Sequence, residues 1–156
     1  MKYWLMKSEP GVYSIDTLQR EGQTLWEGVR NYQARNFMMK DMKVGDMVLF
    51  YHSNAEPSGV AGLAQVSSPA VADPSQFKRR SKSYDAKSST ESPRWFCVSV
   101  RFVKKFERFV SLAQLRQTPG LAAMRLLQKG QRLSIMPVTG QEFERICSLA
   151  STAPRP

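Results

Sequence analysis

The order of apolar and polar residues changes several times along the chain, and each change predicts a different element. The N-terminal run predicts a short strand over residues 2–7. A helical pattern then follows Ser14 and reaches Arg20, and a Ser hydroxyl at this position can accept a hydrogen bond from a free backbone N–H of the first turn. Gly22 is predicted to end this helix.

A second helix is predicted from Asn31, as its N-cap, to about Met42. At about 100° per residue, one stripe of this helix is apolar and is expected to face the core. That stripe consists of Ala34, Phe37, Met38 and Met42. The stripe beside it mixes aromatic and polar residues and consists of Tyr32, Arg35, Asn36 and Met39. The helix should therefore bury one side and offer a polar aromatic side to a ligand.

Further strands and helices follow from the same patterns. After a turn at residues 43–46, residues 47–51 are continuously apolar, which predicts a strand buried on both faces. Residues 60–66 predict the next strand, in which Gly62 allows a close backbone approach or a bulge. Residues 96–102 alternate, as in a half-buried strand, and residues 132–136 predict a strand that Pro137 stops. The capping boxes Ser111-x-x-Gln114 and Thr139-x-x-Glu142 predict two late helices.

Strands and short helices interleave irregularly, and their spacing does not suit regular βαβ winding. The pattern therefore favours an α+β fold built around a small, strongly bent sheet or barrel. Residues 67–94 are rich in Ser, Pro and Lys and predict a long surface loop. With 156 residues, we expect one domain over 1–150 and a frayed tail over 151–156.

Charge adds a functional expectation. The formal net charge is +10 and the pI is near 10.0. Such an excess favours a polyanionic partner, with nucleic acid first and a membrane surface second, although an inert basic surface is the alternative. No apolar run approaches the ~20 residues that span a bilayer, and no signal peptide is evident. We therefore expect no membrane association and a cytoplasmic protein, or a nuclear one in a eukaryote.

The run from Trp26 to Asn36 is the strongest candidate for a binding site. Two aromatic residues in it, Trp26 and Tyr32, can stack on a flat ring. Arginines can bind phosphate or a carbonyl edge bidentately, and the amide of an asparagine presents both a donor and an acceptor to a nucleobase. These residues are Arg30, Arg35, Asn31 and Asn36. The alternative is that Trp26 is a core residue and that Arg30 pairs with Asp16 or Glu27.

The basic residues Lys78, Arg79, Arg80 and Lys82 lie in the long loop. They either contact the phosphate backbone or form a solvated loop, and the sequence leaves both open. Two aromatic residues near them, Tyr84 and Trp95, are either stacking residues or anchors of the loop.

Catalytic and metal chemistry find little support in the sequence. The chain has one histidine, His52, and it has neither a nucleophile elbow nor a phosphate-binding glycine loop. His52 and Ser53 are adjacent at a strand end, so their side chains should point in opposite directions. Cys97 and Cys147 are far apart and are expected to be reduced, with no disulfide and no metal. An enzyme that uses His52 as an acid or base is the second hypothesis, and we expect no cofactor.

Several ordered motifs resemble the EVE domain family, and together they extend from Met1 to about Leu149. These motifs are Tyr3–Pro10, Trp26–Asn36, Gly45-Asp46, Phe50–Asn54, Asp73-Pro74, Tyr84-Asp85, Pro93–Trp95, Arg132–Ser134 and Pro137-Val138. The resemblance implies a PUA-like fold, a bent mixed β-barrel flanked by short helices. It also implies binding of DNA or RNA that carries a modified base, such as a modified cytosine, in an aromatic-lined pocket. We expect such a protein to be a non-catalytic reader and a monomer.

Carried over to this chain, the resemblance implies a set of ligand-binding residues. They are Lys7, Ser8, Trp26, Val29, Arg30, Asn31, Tyr32, Arg35, Asn36, Tyr51, His52, Ser53, Ser134 and Pro137. In this scheme Trp26 and Tyr32 stack on the base, and Asn31, Ser53 or His52 reads its polar edge. Arg30, Arg35 and the loop from Lys78 to Lys82 hold phosphates. An apolar notch at Val29 or Pro137 takes a methyl or hydroxymethyl group.

Overall fold

The computed structural model describes residues 1–151, and its centre is a curled six-stranded sheet of the PUA-like type. The strands of this sheet are β1 (Tyr3–Ser8), β2 (Gln23–Leu25), β3 (Met47–His52), β4 (Gly59–Val66), β7 (Ser99–Ser111) and β8 (Ile135–Val138). Their order is β2-β7-β4-β3-β1-β8, with β1 and β3 parallel and every other pair antiparallel. The sheet ends at two separate edges, so it forms a half-barrel.

Short helices flank the half-barrel. They are α1 (Ile15–Glu21), α2 (Tyr32–Asn36), α3 (Leu112–Gln117) and α4 (Gly140–Ser151). Three N-caps predicted by the sequence are confirmed, because Ser14, Asn31 and Ser111 each accept a hydrogen bond from the first turn of a helix. The capping box before α4 is also confirmed, with Thr139 and Glu142 bonded reciprocally. No helix among residues 1–151 is long and apolar enough to cross a membrane.

The structure corrects four details. The helix after Asn31 is α-helical only to Asn36 and continues as a π-helical turn over Phe37–Asp41. The predicted strand at 96–102 is split into β6 (Phe96–Cys97) and the much longer β7. The long loop contains β5 (Val71–Ala72), which pairs with β6, and a 3₁₀ turn over Pro74–Phe77. Ser151, the first residue of the predicted tail, is the last residue of α4. The other tail residues, 152–156, lie outside the described residues.

The fourth correction concerns Pro137, which lies inside β8 and does not stop it. The strand begins at Ile135, later than predicted, and runs to Val138. Proline lacks the backbone N–H that a residue of a central strand donates to a neighbouring strand. It is tolerated in an edge strand, because one side of that strand is unpaired. β8 is an edge strand paired only with β1, where Pro137 lies opposite Trp4.

The sheet separates two hydrophobic clusters, one on each face. Trp4, Met6 and Phe50 belong to the cluster under α1 and α2, with Ile15, Leu18, Ala34 and Met38. Leu5 and Tyr51 belong to the cluster on the other face, with Leu115, Ile146 and Ala150 of α3 and α4. This alternation confirms that β3 is buried on both faces, as its continuous apolar run predicts. The side of α1 and α2 is also the side on which the functional residues gather.

Candidate functional site

A cavity of about 750 Å³ lies between the end of β1, the segment after β2 and the long loop. Its lining joins four stretches of chain that are distant in sequence, within residues 7–13, 24–30 and 75–83 and at Ser134. The lining residues are Lys7, Ser8, Val12, Tyr13, Thr24, Leu25, Trp26, Glu27, Gly28, Val29, Arg30, Ser75, Ser81, Lys82, Ser83 and Ser134. Of the residues proposed from the sequence, this cavity brings together Lys7, Ser8, Trp26, Val29, Arg30, Lys82 and Ser134.

One wall of the cavity is the C-terminal end of β1. Backbone pairing fixes it, since Lys7 N–H donates to Ser134 O at 2.8 Å. The Ser8 hydroxyl donates to Tyr13 O at 2.6 Å. Burial lowers the pKa of Lys7 from its ordinary value, and its ammonium lies 5.9 Å from the ring centroid of Tyr51. Lys7 is therefore a half-buried residue at the end of β1, with its ammonium on the side of Tyr51.

Trp26 is both a core residue and part of the cavity wall. Its side chain is 8% exposed, and its ring packs edge-on against Phe50 at 5.5 Å with an interplanar angle of 85°. The backbone N–H of Trp26 also donates to Val98 O at 2.9 Å. The indole is consequently held rigidly, which reduces the ordering cost of stacking a ligand against it.

Arg30 is bonded within the protein, and its partners are neither Asp16 nor Glu27. Its guanidinium donates to Ser83 O, Val29 O and Ser75 Oγ at 2.7–3.0 Å and pairs with the Asp73 carboxylate at 3.1 Å. Asp16 instead pairs with Lys105 at 2.7 Å. The guanidinium thus ties the long loop to the segment after Trp26.

Asp73 is the buried anion on which this arrangement depends, with 1% of its side chain exposed. Burial alone would raise its pKa, but hydrogen bonds from Ser75, Gly28 N and Arg30 outweigh burial and hold the pKa below its usual range. The Gly28 N–H donates at 2.7 Å from a residue with φ of 89°. A glycine there reaches this left-handed conformation without strain.

The long loop is held from inside by Gln76, which is fully buried. Its amide donates to Asp73 O and Trp95 O, both at 2.8 Å. Its Oε1 accepts from Ser88 Oγ and from the backbone N–H groups of Arg94 and Trp95. Trp95 is 6% exposed and donates its indole N–H to Asp85. Of the two alternatives for Trp95, the structure favours the loop anchor.

The second half of the run from Trp26 to Asn36 lies outside the lining of the cavity. Asn31 caps α2 by accepting from Ala34 N–H at 3.0 Å. Arg35 donates to Asn36 Oδ1 and to Arg94 O. Tyr32 stacks on Trp95 at 4.8 Å. Tyr32 and Arg35 therefore belong to a neighbouring cluster around Trp95.

Tyr51, His52, Ser53 and Pro137 also lie outside the lining. Tyr51 is 3% exposed in the cluster on the opposite face of the sheet. His52 Nε2 accepts a hydrogen bond from Ile15 N–H at 3.1 Å, which requires a neutral ring, and burial lowers its pKa. Ser53 N–H donates to Ser8 O. Pro137 lines a second depression of about 440 Å³, which also contains Trp4.

The basic residues of the long loop also differ in whether they line the cavity. Lys82 is exposed and lines the cavity. Lys78, Arg79 and Arg80 are exposed but do not line it. Within residues 1–151, no group of His, Cys, Asp and Glu side chains is arranged to hold a metal ion. Cys97 and Cys147 are free thiols, and burial raises the pKa of Cys97 to about 12.

Reasoning from the sequence missed much of the lining, namely Val12, Tyr13, Thr24, Leu25, Glu27, Gly28, Ser75, Ser81 and Ser83. One signal pointed to the loop residues, because a connection longer than about 12–15 residues in a compact domain is often functional. No local pattern in Val12 or Tyr13 indicates that they approach residues of the long loop.

The curled half-barrel and the basic cavity at the end of β1 define a PUA-like domain with a ligand-sized site. The chain belongs to the EVE domain family, whose model matches residues 2–149. It is 41% identical to human thymocyte nuclear protein 1 over 170 residues, an alignment that covers 97% of this chain and 75% of that protein.

Solved structures agree with this assignment. A crystal structure of a Pseudomonas syringae protein is 44% identical with a TM-score of 0.91, covering 95% of this chain and 99% of that one. A crystal structure of human THYN1 protein in complex with DNA containing 5-methylcytosine is 40% identical with a TM-score of 0.89. It covers 99% of this chain and 100% of that one.

Proposed function

We propose that this protein is a non-catalytic module that binds nucleic acid carrying a modified base, and that the cavity at the end of β1 takes that base. The observation that carries the proposal is the composition of the cavity. A rigid indole, two lysines and several hydroxyls line one space of about 750 Å³. Such pockets combine apolar walls with a few polar groups that fix the orientation of a ligand. The related human THYN1 structure contains 5-methylcytosine DNA.

Each part of the cavity has a role in this proposal. Trp26 supplies the flat wall against which the base stacks. Ser8 and Ser134 offer polar atoms to the base edge. Leu25 and Val29 are the apolar residues nearest in sequence to Trp26, and they form the notch for a methyl or hydroxymethyl group. A notch that fits one extra carbon discriminates by about 1–3 kcal/mol.

The cations have different roles. Lys82 attracts phosphate or a base carbonyl from the rim of the cavity, and Lys7 adds positive charge at the end of β1. Arg30 supports the cavity from behind, because its donors are used by Ser83, Ser75 and Asp73. This differs from the phosphate contact expected for Arg30 from the resemblance.

Access to the cavity sets the form of the nucleic acid. A base inside a duplex must leave the stack to enter a pocket, which costs a few kcal/mol. We therefore expect single-stranded DNA with the modified base to bind more tightly than the same sequence as a duplex. The net charge of +10 supports binding to either form through the phosphates.

The test is fluorescence anisotropy with single-stranded oligonucleotides that differ only at one cytosine. The expected result is about tenfold tighter binding of the 5-methylcytosine or 5-hydroxymethylcytosine oligonucleotide than of unmodified cytosine. Lys7→Met should weaken binding of every oligonucleotide, whereas the exposed control Lys129→Met should not. To test stacking on Trp26, a Trp26→Phe variant is preferable to Trp26→Ala, because truncating a buried Trp costs about 3–5 kcal/mol of stability. Equal affinity for all the oligonucleotides would overturn the proposal.

Binding without turnover is part of the proposal. The hypothesis of an enzyme that uses His52 has no specific observation in its favour. His52 lies outside the lining of the cavity, and its Nε2 accepts from Ile15 N–H. Incubation with modified oligonucleotides, followed by mass spectrometry of the digested nucleosides, should return the modified base unchanged.

A further inference from the structure

The ring of Tyr32 forms a flat, open surface beside the cavity. Tyr32 is 47% exposed, although it is a large aromatic residue. Its inner face stacks on Trp95, with ring centroids 4.8 Å apart and an interplanar angle of 17°. Trp95 is itself 6% exposed and anchored to the long loop. The exposed ring therefore rests on a buried one, and its orientation is fixed.

The outer face of Tyr32 is not covered by the nearby arginine. The Arg35 guanidinium carbon lies 4.7 Å from the Tyr32 ring centroid and 5.8 Å from that of Trp95. A guanidinium on the outer face of Tyr32 would be about twice as far from Trp95 as from Tyr32, by the geometry of stacked rings. Arg35 thus lies beside the pair of rings and leaves the outer face of Tyr32 open.

Arginines surround this ring and hold it in place. The Tyr32 hydroxyl accepts a hydrogen bond from Arg94, whose guanidinium also pairs with Asp85 at 3.5 Å. Arg35 is fixed by hydrogen bonds to Asn36 Oδ1 and to Arg94 O. A flat aromatic face bordered by guanidinium groups has the two features that bind single-stranded nucleic acid, which are stacking and attraction of the backbone.

The ring is also continuous with the cavity. Arg30 lines the cavity, and its guanidinium carbon lies 5.1 Å from the Trp95 ring centroid. Trp95 in turn contacts Tyr32. One arginine and one buried indole therefore separate the cavity from the open ring. This arrangement suits two neighbouring nucleotides of a single-stranded nucleic acid, one at each site.

We propose that Tyr32 is a second base-binding site, on which an unpaired base flanking the modified one stacks. This inference rests on the proposed function, because it takes the cavity to hold the modified base. It assigns to Tyr32 a contact outside the cavity, and it makes single-stranded or locally opened nucleic acid the form that occupies both sites.

The first test measures affinity for a single-stranded DNA of about ten nucleotides, a length within the site sizes of such proteins, with one central 5-methylcytosine. Tyr32→Leu should weaken binding about tenfold or more, because stacking of one base on an aromatic residue accounts for a change of that order. Tyr32→Phe, which keeps the ring, should bind within about twofold of the original chain. The matched control is Phe109→Leu, since Phe109 is 36% exposed and does not line the cavity.

The second test identifies the base. The fluorescent base 2-aminopurine is placed on either side of the 5-methylcytosine, and its emission should be quenched on binding by the original chain but not by Tyr32→Leu. Abasic flanking sites should weaken binding by the original chain and leave Tyr32→Leu unchanged. Equal loss with Phe109→Leu, or unchanged binding by Tyr32→Leu, would overturn this inference while leaving the proposal for the cavity intact. Failure of the cavity itself is seen separately, as equal affinity for modified and unmodified cytosine.

Discussion

The Arg30 guanidinium and the Asp73 carboxylate form an ion pair of 3.1 Å between residues 43 positions apart in sequence. This pair connects the segment after Trp26 with the long loop. Because the same carboxylate accepts from Gly28 N–H, it also fixes the backbone of the cavity wall. The shape of the cavity therefore depends on a contact between two regions that no local pattern relates.

Removing the carboxylate of Asp73 should destabilise the fold strongly. Breaking a buried ion pair leaves an unpaired group and typically costs about 3–5 kcal/mol. We expect Asp73→Ala to lower the free energy of unfolding by that amount in urea titrations. The control is Asp16→Ala, because the Asp16–Lys105 pair is about half exposed. An exposed pair contributes about 0–1 kcal/mol, so equal losses in the two variants would contradict this account.

Stability should fall as the pH drops below about 6.5, the ordinary pKa of histidine, because burial lowers the pKa of His52 in the folded protein. Above this pH both folded and unfolded chains hold a neutral ring. Below it the unfolded chain binds a proton first, so stability falls until the pH passes the lowered pKa of the folded state. The pKa values of Asp46 and Asp73 are also lowered, so their contributions are lost only in stronger acid.

His52 is the only histidine in the sequence, which makes this pH range informative. His52→Gln removes the titration and keeps a side chain that can accept from Ile15 N–H. Thermal melts between pH 7.5 and 5.5, which bracket the ordinary pKa of about 6.5, should show a smaller decrease in midpoint for this variant. An identical decrease in both proteins would assign the effect to other groups.

A methyl group at Gly62 should separate β4 from β7. An added Cβ would lie 2.3 Å from Lys104 O and 2.9 Å from Ile15 Cγ1, and the register of β4 shifts at this residue. We expect Gly62→Ala to cost about 2 kcal/mol or more, because the contact is with a backbone oxygen that cannot turn away. Gly11→Ala is the control, since no atom of residues 1–151 that could clash lies within 4 Å of its added Cβ. Its unfolding free energy should stay within about 0.5 kcal/mol of the original.

Lys82 should contribute to the salt dependence of nucleic-acid binding. Each phosphate contact made by a lysine steepens the plot of log affinity against log salt concentration by about one unit. Lys82→Ala should therefore weaken binding to modified and unmodified oligonucleotides equally and make the slope shallower by about that amount. Lys129→Ala removes the same charge outside the cavity, and its slope should match that of the original chain.

Local features were predictable from the sequence because they depend on neighbouring residues. Ser14, Asn31 and Ser111 were recognised as N-caps, since each needs only a hydroxyl or amide within reach of the next turn. The continuous apolar run of β3 indicated burial on both faces for the same reason. Gly62 was correctly expected at a close approach or bulge, and it has both.

The long loop itself was predicted, but its internal structure could not be, because that structure comes from contacts across the chain. Gln76 has no local feature that marks it as a fully buried residue that binds both Asp73 and Trp95. The partner of Arg30 was equally hidden, and the two candidates proposed for it were wrong. Charge alone cannot choose among several acidic residues when the backbone path is unknown.

The sequence by itself determined the family, the α+β class, the helix starts and the basic character, since motifs, periodicity and charge are properties of residue order. Tertiary structure decided which residues of the run from Trp26 to Asn36 line the cavity and which lie beside Trp95. The cavity wall includes Trp26 and Arg30, whereas α2 carries Tyr32 outward onto Trp95. The reason is that the direction of each side chain depends on the turn at Gly28 and on the loop held by Asp73, and both are set by contacts distant in sequence.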